Sequence, residues 1–213
     1  MELKGIKANF LGDSITEGVG TSSRDSIYLS LLARKCEFSV CRNYGISATR
    51  IAKQTVEKHL PTPDTDFCNR FSGMDSDADL VVVFGGTNDF GHGDAPIGEP
   101  SDRTPDTFYG ACHYLMSGLL GKYPLARIVI MTPLHRTSEN CRKADGSILY
   151  DYVRIIREVA EYYSLPVLDL WSVSGIQPCV EKIKEIYCPD GLHPNDNGHK
   201  RIAGLLEEFL KSL

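Results

Sequence analysis

The sequence predicts an α/β fold: one five-stranded, mostly parallel sheet with helices on both faces. Three observations carry that reading. Short apolar runs alternate along the chain with segments of helical periodicity, the order expected of β-α-β units with right-handed crossovers. The run Leu80-Val81-Val82-Val83-Phe84 has no polar alternation, as befits a parallel strand buried on both faces. The chain has 213 residues, 42% hydrophobic and 24% charged. That suits one soluble α/β domain burying roughly 70% of its unfolded surface.

Taken in order, strands are expected at 6–11, 38–43, 80–84, 127–131 and 166–170. Helices are expected at 26–35, 48–59, 106–121, 148–163 and from about 197 to 210. The 148–163 segment is strongly periodic, with Ile148, Tyr152, Ile155, Ile156, Val159 and Tyr163 on one side. Segments 61–79, 91–105 and 171–195 read as long loops, which in a compact domain carry function or local structure of their own. No linker, repeat or low-complexity stretch divides the chain, so residues 1–213 read as a single domain.

Composition narrows the partners. The net charge of −5 argues against nucleic acid or an anionic membrane, both of which need a basic face. No window approaches 18 apolar residues, so membrane insertion is not expected. The N-terminus runs straight into the first strand without a signal-peptide pattern. The seven cysteines are scattered and form no Cys-x-x-Cys pair, so neither a zinc ribbon nor a thioredoxin-like site is indicated. Free thiols in a reducing cytoplasm are the expectation.

Four short motifs fall at the expected carboxyl ends of strands or before the last helix, where open α/β sheets bind ligands. In Gly12-Asp13-Ser14-Ile15, the serine lies in a tight turn that can lift its hydroxyl above the sheet and aim its backbone N–H at an anion. A plain helix cap is the alternative. In Asn43-Tyr44-Gly45, the glycine can bring its amide close to a ligand, or simply turn the chain. Gly86-Thr87-Asn88-Asp89 follows the most apolar strand. Asn88 offers a neutral amide donor suited to a developing oxyanion, or ordinary turn chemistry. In Asp190-Gly191-Leu192-His193-Pro194, a carboxylate three residues from an imidazole can fix its tautomer and stabilise its protonated form. Asn195 or Asp196 then caps the last helix.

Each motif alone is weak, but their order resembles the SGNH hydrolases, the GDSL-like esterases and lipases. That family's four blocks carry Ser, Gly, Asn and His in this chain order, matched here by Ser14, Gly45, Asn88 and His193. Ile15 replaces the leucine of the GDSL name, a conservative departure. The resemblance spans nearly the whole chain. It implies a flavodoxin-like three-layer sandwich with strand order 2-1-3-4-5. It also implies Ser14 as nucleophile, His193 as base and Asp190 as its orienter. The oxyanion donors would be the amides of Ser14 and Gly45 and the Asn88 side chain. No metal or cofactor is implied. A serine needs an adjacent base to become nucleophilic, so the chemistry agrees.

Asp13 reads as a structural support for the turn and helix start. Phe90 and His92 follow Asn88 closely and are candidates to line the substrate pocket. His135, after the fourth strand, is a third such candidate.

Competing functions find less support. Gly18-Val19-Gly20-Thr21-Ser22-Ser23 mimics part of a dinucleotide fingerprint but lacks its third glycine. No Walker-type loop occurs, and the Gly-x-Ser-x-Gly elbow of α/β-hydrolases is absent around Ser14. A non-catalytic, ligand-binding relative would normally have lost the Ser, His or Asp, and all three remain. The expected reaction is hydrolysis of short-chain esters of a small molecule, with an acetylated sugar as the candidate. A lysophospholipase or thioesterase activity is the alternative.

Overall fold

The computed structural model describes residues 2–54 and 65–213. Five strands form one all-parallel sheet in the order β2-β1-β3-β4-β5. They are β1 Lys7–Gly12, β2 Val40–Gly45, β3 Leu80–Phe84, β4 Arg127–Met131 and β5 Val167–Leu168. The order is the one the resemblance implied.

Side-chain alternation divides the sheet into two cores. Leu11, Val81, Val83, Ile128 and Ile130 face one layer of helices. Its main members are α5 (Phe108–Lys122) and α6 (Leu149–Tyr162), with the short α3 (Phe67–Arg70) beside them. Ala8, Phe10, Leu80, Val82, Phe84, Val129 and Met131 face the other layer, α2 (Tyr28–Lys35) and α9 (Asp196–Ser212). Every residue of β3 is buried, which is why its sequence shows no alternation.

The long helices start at side-chain caps. The Thr107 hydroxyl accepts from the Gly110 amide at 3.1 Å to open α5. The Asn195 side chain accepts from the Asn197 and Gly198 amides, at 3.0 and 3.1 Å, to open α9. Such a cap contributes about 1 kcal/mol. On α6 the Asp151 carboxylate reaches back to the Ile148 amide at 3.0 Å.

Three expectations shift. β2 runs two residues later than expected, because as an edge strand only partly covered it has no sharp apolar pattern. β5 contracts to two residues. Residues 48–54 of the expected helix 48–59 are not helical, and 55–59 lie outside the described residues. The physical reason is long-range. The buried Asp89 carboxylate takes the amides of Ile51 and Ala52 at 3.0 and 2.9 Å, bonds that a helix would have closed internally. The expected loops carry local structure: α3 and a 3-10 turn (Phe71–Gly73) within 61–79, and α7 (Leu170–Val173) and α8 (Glu181–Tyr187) near 171–195.

Register places the site. Gly12 pairs with both Gly45 and Phe84, so β1, β2 and β3 end at one level. The chain leaves those ends through α1 (Ser14–Glu17), through residues 46–49, and through α4 (Thr87–His92).

Candidate active site

Ser14 is the first residue of α1, and the Asp13 carboxylate caps that helix by accepting from the Ile15 amide at 3.0 Å. Burial pushes the Asp13 carboxyl up to about 7, against that hydrogen bond and the charge of Arg70. Gly12 has no room for a side chain: a Cβ would stand 1.9 Å from the Thr16 hydroxyl.

Across the cleft, His193 approaches from the loop before α9. Its Nε2 lies 3.0 Å from Ser14 Oγ, and its Nδ1 lies 2.7 Å from Asp190 Oδ2. The other carboxylate oxygen, Oδ1, accepts from the amides of Leu192 and His193 at 2.8 and 2.6 Å. Burial alone would raise the Asp190 pKa, but these three bonds and the nearby imidazole bring it below the ordinary carboxylate value. Gly191 makes the tight turn possible with φ +80°. The structure therefore brings together Ser14, His193 and Asp190: the Asp190–His193 pair read from its spacing, and Ser14, which the resemblance placed beside them.

The loop that bears His193 is braced from two sides. The Thr137 amide donates to the Gly191 carbonyl at 3.0 Å. Gly20, with φ +95°, lies so close that a Cβ would stand 2.4 Å from the Pro194 carbonyl oxygen. The Ser22 amide donates to Asp196 at 2.8 Å. Gly20, within the segment that mimics a dinucleotide fingerprint, thus packs against the histidine loop.

Asn88 lies buried in the first turn of α4. Its Nδ2 donates to the Thr49 carbonyl at 3.0 Å, leaving the second amide hydrogen for another acceptor.

Gly45 is placed differently from the expectation. Its amide donates to Asn43 Oδ1 at 2.7 Å, and a Cβ there would stand 2.2 Å from the Glu17 amide nitrogen. The glycine is needed so that the end of β2 can press against α1, and its N–H already has an acceptor. Sequence reasoning missed Ala48, three residues on, which adopts a left-handed backbone at φ +63°. Such a conformation costs a non-glycine residue on the order of 1–3 kcal/mol; Glu37 and Ser164 share it, but of the three only Ala48 lies beside the candidate site. Its neighbours hold it there. The Ile46 amide donates to the Gly12 carbonyl at 3.2 Å, the Ser47 amide to Glu17 at 2.6 Å, and the Thr49 hydroxyl to the Ile46 carbonyl at 2.7 Å. Among the described residues, the amides of Ser14 and Ala48 have no acceptor. No residue-type signal could have found this, because alanine rarely takes that conformation.

The three pocket candidates fare less well. Phe90 is a core residue, 5% exposed, with its ring edge-on to Tyr152 at 6.0 Å. His135 has both ring nitrogens engaged, Nδ1 with Glu139 at 2.8 Å and Nε2 with the Trp171 carbonyl at 3.0 Å. Its ring also packs on Trp171, with centroids 3.8 Å apart. His92 turns Nδ1 toward the buried Arg50 guanidinium at 3.2 Å. Proximity in sequence to Asn88 and to the end of β4 suggested all three; the structure engages Phe90 and His135 in packing and hydrogen bonds, and His92 with Arg50. Arg136, by contrast, bridges the region. Its Nη1 reaches the Thr87 carbonyl and hydroxyl at 3.2 and 3.3 Å, tying the β4–α6 connection to the start of α4. Among the described residues no cluster of His, Cys, Asp or Glu could hold a metal ion, and no helix is long and apolar enough to cross a membrane.

A three-layer sandwich with sheet order 2-1-3-4-5, and these residues over its carboxyl edge, has the SGNH hydrolase fold. The model of the GDSL-like Lipase/Acylhydrolase family matches residues 10–201, and the chain belongs to that family. A search of curated proteins finds no match to the sequence. Among solved structures, a Lactobacillus plantarum protein is 30% identical, with 98% of each chain covered and a TM-score of 0.85. An acetyl xylan esterase, AlAXEase, is 21% identical, with 95% of this chain and 98% of that one covered and a TM-score of 0.65. A two-domain esterase active on acetylated mannans is 19% identical with a TM-score of 0.63. That match covers 99% of this chain and 50% of the esterase.

Proposed function

We propose that this chain is a serine esterase that cleaves short-chain carboxylic esters through an acyl-enzyme at Ser14, with an acetylated carbohydrate as the natural type of substrate. The observation that carries the reading is the pair of contacts at His193: 3.0 Å to the Ser14 hydroxyl and 2.7 Å to Asp190. In the first half-reaction Ser14 Oγ bonds to the carbonyl carbon and its proton passes to His193 Nε2. The tetrahedral oxyanion collapses, the C–O bond to the alcohol breaks, and His193 returns the proton to the departing oxygen. A water molecule then repeats the sequence on the acyl-enzyme and frees the acid. Asp190 stays ionised and holds the imidazole in the tautomer that exposes Nε2 as base.

The oxyanion donors in this reading are the Ser14 amide, the Ala48 amide and Asn88 Nδ2. Ala48 replaces Gly45 because its amide has no acceptor and it precedes Thr49, whose carbonyl Asn88 holds. Each donor contributes about 3–4 kcal/mol in the transition state. The fold likeness to two esterases that act on acetylated polysaccharides supports the sugar ester as substrate.

The test is a series of p-nitrophenyl esters of increasing acyl length, followed by acetylated xylo- and manno-oligosaccharides, assayed from pH 5 to 8. Turnover is expected to be highest on acetate and to fall with chain length, with acetate released from the sugars. kcat/KM should rise with pH, because the base acts only as neutral imidazole. Burial raises the Asp13 pKa to about 7, inside this pH range. Its folded value lies above its unfolded one, so it favours the folded state at low pH and that contribution is lost as pH rises through about 7. The folded fraction must therefore be measured at each pH, and Asp13→Asn should keep the rising limb. A flat profile on folded protein, or a preference for long acyl chains, would overturn the reading.

A further inference from the structure

Arg70 lies at the end of α3, and its guanidinium reaches the ends of β1 and β2 and the loop that follows β2. Nη1 donates to the Tyr44 carbonyl near the end of β2. Nη2 donates to the Gly12 carbonyl at the end of β1 and to the Thr49 hydroxyl at 2.9 Å. The Phe67 ring packs against the guanidinium, 4.6 Å from its carbon. Burial draws the Arg70 pKa down to about 10, while the charges of Asp13 and Asp66 oppose the shift, so the group remains a cation at neutral pH.

Each acceptor leads to a different piece of the site. Gly12 precedes Ser14 by two residues. Tyr44 is the penultimate residue of β2, the strand from which residues 46–49 spring. Thr49 follows Ala48, and its carbonyl is the one that Asn88 holds. A guanidinium carries five donors in a rigid plane and can span three acceptors at once, whereas an ammonium is a point donor on a flexible stem. The side chain reaches across from α3 to residues 21, 26 and 58 positions away, a placement that no local pattern in the sequence encodes.

We propose that Arg70 is a positioning residue for the oxyanion hole, holding the Ser14 turn, the Ala48 loop and, through Thr49, Asn88 in one frame. The inference rests on the reading of those three groups as oxyanion donors. Arg70 itself touches no reacting atom. Without it the three donors can shift independently, and a misplacement of about 1 Å costs up to ~10²-fold in rate. The hole engages charge that develops in the transition state, so the loss falls on kcat rather than KM.

The experiment measures kcat per folded molecule, KM and melting temperature on p-nitrophenyl acetate for Arg70→Ala, Arg70→Lys and Ser14→Ala. Arg70→Ala should lower kcat about 10²-fold and Arg70→Lys about 10-fold, with KM nearly unchanged. Guanidinium ion, at concentrations too low to denature the protein, should restore part of the kcat of Arg70→Ala and none of that of Asn88→Ala. Should Arg70→Ala fail to fold, Arg70→Lys decides by the same split between kcat and KM. A kcat per folded molecule within twofold of the native enzyme in the folded Arg70 variants, with only the melting temperature lowered, would overturn the proposal. An active Ser14→Ala protein would instead overturn the reading beneath it.

Discussion

Ser14→Ala is expected to lower ester hydrolysis at least ~10³-fold while the melting temperature stays close to that of the native protein. No other described hydroxyl meets His193 Nε2, so alanine removes the bond-forming atom and leaves the base with nothing to activate. The Ser14 side chain makes one hydrogen bond, to His193, whereas the helix start depends on the Asp13 carboxylate and the Ile15 amide. Those contacts survive the change. The assay is kcat on p-nitrophenyl acetate beside thermal denaturation. Near-native turnover in folded Ser14→Ala protein would remove the nucleophile from the account.

Asn88→Ala should lower kcat by about 10²–10³-fold with a much smaller change in KM, because its amide meets full negative charge only in the transition state. The structure adds a second consequence. Asn88 also donates to the Thr49 carbonyl, so its loss leaves that buried acceptor without its partner and costs about 1–3 kcal/mol of stability. The two effects separate when kcat per folded molecule is measured alongside melting temperature. Asn88→Asp should be as damaging or worse, since a carboxylate would face both the Thr49 carbonyl and the developing oxyanion. Full activity per folded molecule in Asn88→Ala, with only stability reduced, would reassign Asn88 to loop structure and weaken the case for Ala48 as well.

How much of this was legible depends on how far each residue's partners lie along the chain. The buried strands β3 and β4 and the helices α5, α6 and α9 write their environments into apolar runs or 3.6-residue stripes. The Asp190–His193 turn is legible because its hydrogen bonds join residues two and three apart. The sequence of residues 48–54 reads as helix, but the amides of Ile51 and Ala52 are claimed by Asp89, 38 and 37 positions away. Phe90 and His135 sit in the right sequence neighbourhood, yet Tyr152, Glu139 and Trp171 draw them into packing. Gly45 is adjacent to the site, but it serves as space for α1, and the strained backbone falls on an alanine. Arg70 has no signal, because the hydrogen bonds its guanidinium makes are all to residues distant in sequence.

The central claim is that Ser14, activated by His193, forms a covalent bond to the substrate's acyl group. Diethyl p-nitrophenyl phosphate tests it most directly, since an activated serine hydroxyl displaces p-nitrophenol and retains the diethyl phosphoryl group. Peptide mass spectrometry of the inactivated protein should find one such group, on Ser14, formed in step with loss of activity and absent from His193→Ala. Inactivation with the group on another residue, or an active esterase whose Ser14 stays unmodified, would contradict the account.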